Sequence, residues 1–189
     1  MNKASQKGFG LRVADRTVLM IDGASTAAAS RAVGWTIDFK KLRKVVQEQT
    51  HLVRARYFSL AAAKIEDGED GAERALKGLL DFLAYNGFVV DTRFVRPYDD
   101  GSGRTRLRGS MAVSIALKLV SDSPRIDHIL LFTGDGSLAP AVEEAQRIGA
   151  RVTVVGTMKG DNVSDGLRRQ ADFFVELDDL RDQIERERT

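Results

Sequence analysis

The sequence has no cysteine, only two histidines, three prolines and one tryptophan among 189 residues. Without cysteine there are no disulfides, no thiolate metal centres and no cysteine nucleophile, and His51 and His128 are too few for a histidine-rich metal cluster. Any metal chemistry must therefore use oxygen ligands. No apolar run approaches the roughly 18 to 20 residues that a membrane span needs, and the opening MNKASQKGFGLRVADR lacks the apolar stretch of a secretory signal. A cytoplasmic chain with no membrane contact is the expectation. A strong charge bias is also lacking: 29 basic against 27 acidic residues leave +2, which by itself demands no nucleic-acid partner. What is present is a globular composition, 43% apolar and 30% charged, at a length that suits one domain with a full core.

Short β-branched runs alternate with helical patterns, the signature of a mostly parallel central sheet with helices on both faces, a three-layer α/β fold. The first strand, Thr17 to Asp22, is nearly all apolar, as a strand buried on both faces should be. After a loop, the spacing predicts a helix over Ile37 to Gln49, a strand over Leu52 to Leu60, a helix over Ala72 to Asn86 and a third strand over Phe88 to Val95. Pro97 to Arg106 reads as a flexible connection. A helix over Gly109 to Val120, a fourth strand over Ile126 to Thr133, a helix over Ser137 to Gly149 and a strand over Arg151 to Gly156 follow. A last helix around Val163 to Gln170 and a short edge strand over Phe173 to Val175 complete the pattern. The expected organisation is an N-terminal extension over 1–16, a domain over 17–176 and a charged helical tail over 177–189. In that tail Leu177, Leu180 and Ile184 form a thin apolar stripe on a solvent-facing helix.

In open α/β sheets, ligands bind outside the carboxyl ends of the strands, where strand order reverses. Asp22 ends the first strand and Asp135 follows the fourth. If those strands are neighbours, the two carboxylates meet at the switch point. Read singly, Thr133-Gly-Asp-Gly-Ser137 is a common turn and Asp22-Gly23 is equally plain. No glycine-rich dinucleotide fingerprint follows the first strand, so no nucleotide cofactor is expected.

Taken together, the segments Ile21-Asp-Gly-Ala-Ser25, Ile37-Asp-Phe39, Asp81 to Phe88, Arg108 to Lys118, Asp127 to Ser137 and Leu167 to Asp172 resemble the NYN domain family, also called LabA-like, with a PIN-like nuclease fold. The resemblance runs in order from about Thr17 to Leu180. It implies hydrolysis of RNA phosphodiesters with Mg2+ or Mn2+ held by a cluster of aspartates, since clustered carboxylates place a hard ion that activates water and offsets phosphate charge. This chain departs from that pattern. Ser25 stands where the family has Asn, Ala112 and Lys118 stand where the middle helix has Asp, and Ser137 stands where the turn has a second Asp. Asp22 and Asp135 remain as the residual catalytic or metal-binding candidates.

An inward Lys118 would place an ammonium where a metal is expected, with an attraction of several kcal/mol at about 4 Å before desolvation. The alternative is that Lys118 faces solvent. Glu66, Asp67, Glu69, Asp70, Asp99 and Asp100 are further acids that read as solvated loop residues. The Arg104-Thr-Arg-Leu-Arg108 run is the phosphate-contact candidate, with Arg104, Arg106 and Arg108 as its cations and Arg96 and Lys64 as extensions. Trp35 and Tyr98 are candidates to stack on a base. His51 and His128 read as structural, and Arg168-Arg169 falls in a segment that the resemblance makes structural.

Three functions follow. The first is a catalytically degenerate NYN domain, a pseudonuclease that binds RNA or a protein partner, with no cofactor expected. The second is an active Mg2+- or Mn2+-dependent ribonuclease that uses Asp22 and Asp135. The third is a structural or assembly protein working through the tail stripe. A protein partner or a homo-oligomer stays open beside these.

Overall fold

The computed structural model describes residues 8–62, 71–99, 101, 105–107 and 109–187. Six parallel strands form one sheet in the order β3-β2-β1-β6-β7-β8. They are β1 (Arg16–Asp22), β2 (His51–Ala62), β3 (Phe88–Val95), β6 (His128–Phe132), β7 (Arg151–Gly156) and β8 (Phe173–Glu176). β1 and the predicted fourth strand, β6, lie side by side, pairing Thr17 with His128 and Ile21 with Phe132. From β1 the chain runs outward through β2 to β3, and from β6 it runs the other way to β7 and β8. The switch point therefore lies between β1 and β6.

The central strands owe their place to their composition: Val18 to Ile21 and Ile129 to Phe132 are at most 2% exposed, because helices cover both faces. One face carries Leu19, Ile21, Leu42, Val46, Leu83 and Phe88. The other carries Val18, Met20, Ile115, Leu119, Leu138 and Val142. The helices are α1 (Gly23–Val33), α2 (Phe39–Gln49), α3 (Gly71–Tyr85), α4 (Ala112–Asp122), α5 (Ala139–Ile148), α6 (Asp165–Gln170) and the short α7 (Arg181–Ile184).

Four expectations are corrected. The loop expected after β1 contains helix α1, whose alanine-rich sequence carries no apolar stripe but favours helix strongly. Asp22 caps its start and Gly34, at φ 82°, ends it. The flexible connection holds a short antiparallel hairpin, β4 (Pro97–Asp99) with β5 (Thr105–Leu107), in which Tyr98 lies opposite Arg106. The N-terminal stretch joins the core through Phe9, 1% exposed, whose ring centroid lies 6.4 Å from that of Phe132.

The C-terminal stripe does not face solvent: Leu177, Leu180 and Ile184 are at most 1% exposed and belong to the core. The tail is tied down by backbone bonds from Asp38 N to Ile184 O (2.8 Å) and from Arg186 N to Thr36 O (2.9 Å). Three apolar residues among charges were enough, because the sheet offers them a greasy face. The stripe is consequently not available to a partner.

Candidate functional site at the switch point

Asp22 is the last residue of β1 and is 7% exposed. Its Oδ1 accepts from the backbone N–H groups of Ala24 (3.2 Å) and Ser25 (3.4 Å), the free donors of the first turn of α1. Its Oδ2 accepts from the hydroxyls of Ser25 (2.6 Å) and Thr133 (3.1 Å). Ser25 thus keeps hydrogen-bond contact with the acid although it lacks the amide of Asn.

Thr133 joins the two acids. While its Oγ1 donates to Asp22, it also accepts from the backbone N–H of Asp135 at 3.2 Å. Asp135 in turn caps a 3-10 turn over Gly136–Leu138, its Oδ1 accepting from Ser137 N at 2.9 Å. The turn is held by the segment 162–164: Ser164 N donates to Gly134 O at 3.0 Å. A Cβ on Gly134 would lie 1.6 Å from the Asn162 carbonyl oxygen, and one on Gly136 would lie 2.5 Å from Ser164 Oγ. Only glycine allows this approach. Gly23 is similarly confined, with the Tyr57 hydroxyl 2.7 Å from where a Cβ would stand. Burial, and secondarily the charge of Asp22, push the Tyr57 phenol up to about 12, so it is a neutral donor throughout the physiological range.

The positions that depart from the family pattern behave differently from one another. Ala112 opens α4, its N–H donating to Ser110 Oγ at 3.0 Å, and packs into the core cluster that holds Leu138. Ser137 is exposed on the capped turn. Lys118 is exposed on α4, where it lines a groove with Asp91, Arg93, Phe94 and Leu117. The donors on Asp22 are backbone N–H groups and hydroxyls, so the ammonium does not replace a metal there. Among the described residues no three acids or histidines converge as metal ligands.

Other sequence candidates are dispersed. Trp35 is 4% exposed and its indole N–H donates to Asp178 Oδ1 at 2.9 Å, so it is packed rather than free to stack on a base. Tyr98 is 38% exposed on β4. Arg96 is exposed between β3 and β4. Arg106 lies in β5, and Asp99 closes β4. Arg104, Arg108, Lys64, Glu66, Asp67, Glu69, Asp70 and Asp100 lie outside the described residues. Arg168 stands over the Phe174 ring at 5.6 Å. His51 is exposed at the start of β2, and His128 is buried at the start of β6, at the opposite end of the strand from the switch point. Thr133, which organises the site, was missed: it lies in the quoted turn, but a hydroxyl that links the carboxylate of Asp22 to the backbone of Asp135 has no signature in one sequence.

Fold and site together define a doubly wound α/β domain of the nuclease-like type, with acids at the carboxyl ends of its two central strands. A family model for the NYN domain matches residues 16–178, and the chain belongs to that family. It is similar to the low amplitude and bright protein LabA of Synechococcus elongatus, 26% identical over 175 residues, covering 90% of this chain and 88% of that one. Its fold is also that of a Vibrio parahaemolyticus protein of unknown function solved by crystallography, with TM-score 0.66 and 24% identity over 90% of this chain and 96% of the other. No helix among the described residues is long and apolar enough to cross a membrane.

Proposed function

We propose that this NYN domain is catalytically degenerate and acts by binding RNA. The observation that carries this reading is the use of Asp22: both its oxygens accept from the chain's own backbone and hydroxyls. In the sequence, Ala112, an exposed Lys118 and an exposed Ser137 stand where the family pattern has carboxylates. Two acids with neutral donors are a poor cage for a divalent ion, which favours several charged oxygens. Affinity for RNA would come from cations, with Arg104, Arg106 and Arg108 as the contacts to phosphate.

A second reading is favoured by Thr133, whose hydroxyl joins the Asp22 carboxylate to the backbone N–H of Asp135 and so holds both residues at one end of the sheet. Those two residues would hold a single Mg2+ or Mn2+, whose chemistry is to activate water and offset phosphate charge. Calorimetric titration with both ions, followed by incubation with labelled RNA, separates the readings. Salt-sensitive RNA binding, unchanged by EDTA and leaving the RNA intact, is the expected result. Metal-dependent cleavage that disappears in Asp22→Asn and Asp135→Asn would overturn the degenerate site. An intact RNA that is not bound at all would instead turn the reading toward a protein partner.

A further inference from the structure

The two edges of the sheet are unlike. β8 is only four residues long, and short edges are one way in which proteins avoid unwanted pairing. β3 is eight residues long, and among the described residues no strand pairs with its outer side. It leaves Val89 40% and Phe94 70% exposed. Beside it, α4 exposes Val113 (70%) and Leu117 (66%), and the groove between strand and helix, about 530 Å3, is lined by Asp91, Arg93, Phe94, Leu117 and Lys118. A long, partly apolar edge next to an apolar helix face is a template for a further strand.

The charges on the edge select which strand. Phe88 and Val90 pack toward the face of α2 and α3, whereas Asp91 reaches the opposite face, where Arg56 bonds it at 3.4 Å and Asp122 of α4 at 3.3 Å. By the two-residue period of a strand, Arg93 lies on the same face as Asp91. A second β3 placed antiparallel, with a two-fold axis through Thr92, sets Asp91 of each copy opposite Arg93 of the other. The same register sets Val90 opposite Phe94 and Val89 opposite Val95. Moving the axis to Asp91 or Arg93 puts like charges directly opposite each other, which destabilises a pair. The edge is complementary to itself in one register.

We propose that the outer edge of β3 is the interface of a symmetric homodimer, in which two six-stranded sheets join through Thr92 into one continuous sheet. Such an interface is isologous and uses up the open edge on both copies. Asp22, at the end of β1, lies two strands away and Asp135, after β6, three, so the dimer leaves the switch point of each copy uncovered.

The absence of cysteine makes a direct test available. Directly opposed residues of an antiparallel pair have Cα atoms about 4.5 to 5.5 Å apart, within the roughly 4.4 to 6.8 Å that a disulfide spans. A Thr92→Cys chain therefore carries one thiol, at the axis, and under mild oxidation is expected to form a covalent dimer at least tenfold faster than Tyr85→Cys, whose position on α3 is 91% exposed. In sedimentation of the full chain, the unaltered protein is expected to show a concentration-dependent dimer. Arg93→Asp and, independently, Phe94→Glu are expected to weaken it at least tenfold, with the thermal melt of the monomer retained. A monomer at all concentrations, whether the edge is bare or covered by something else, would overturn the proposal. So would a dimer that is indifferent to both substitutions, or cross-linking no faster at 92 than at 85.

Discussion

The two rims of the sheet use the same residue type in opposite ways. Where the strands begin, Asp15 is ion-paired with Arg151, and its oxygen lies 3.8 Å from His128 Nδ1. Thr153 Oγ1 donates its one hydrogen to Phe9 O (3.1 Å), so His128 Nε2 must donate to Thr153 (2.7 Å), which leaves Nδ1 as an unpaired lone pair. Where the strands end, Asp22 and Asp135 meet N–H and O–H donors. A carboxylate with a cationic partner is a structural tie, whereas one with neutral donors keeps its charge for the surroundings. The first rim is closed and the second is the place where a ligand would be felt.

The largest expected effect falls on the closed rim. Asp15→Ala strands Arg151 in a largely buried setting and should lower the unfolding free energy by about 3 kcal/mol, read from urea denaturation. A comparable effect should appear with pH. Burial, together with the positive charge of Arg151, lowers the His128 pKa from 6.5 to about 4, with Asp15 and Asp172 partly opposing. Between those values the unfolded chain binds a proton that the folded one refuses. Stability contributed by neutral His128 is therefore complete above about 6.5 and is lost as the pH falls toward 4, by on the order of 3 kcal/mol. Denaturation curves of the unaltered chain and of His128→Gln should differ in slope over that window. Parallel curves would mean that the two rims do not differ in this way.

Smaller effects are expected at the open rim. Asp22→Ala removes the cap of α1 and should cost about 1 to 2 kcal/mol, while Asp22→Asn, which retains an acceptor, should cost less than about 1 kcal/mol. Asp135→Ala, at a half-exposed 3-10 turn, should cost about 0.5 to 1 kcal/mol. The smallest effect is spectroscopic. Tyr57 should ionise at about 12 in ultraviolet titration, and somewhat lower in Asp22→Asn, because burial is the larger cause and the charge of Asp22 the lesser. If the two titrations coincide, Asp22 is not felt at that phenol.

Legibility followed the chemistry of burial. The central strands could be read because Val18 to Ile21 and Ile129 to Phe132 are apolar without interruption, which suits few places other than the middle of a covered sheet. Helix α2 could be read from its one-sided pattern. Helix α1 was missed, because small residues such as Thr26 and Ala29 pack against the sheet and write no stripe. The tail was misjudged because Leu177, Leu180 and Ile184 make the same sparse pattern on a buried segment as on an exposed one.

The sequence by itself determined the class of fold, the family resemblance and the two acids, since strand composition, order and local turn residues are properties of neighbours along the chain. Only the tertiary structure decided how those acids are used. Thr133 and Asp22 are 111 positions apart, and their hydrogen bond exists because parallel pairing of β1 with β6 ends both strands at one rim. The direction of Lys118 was decided in the same way, by which face of α4 the sheet covers.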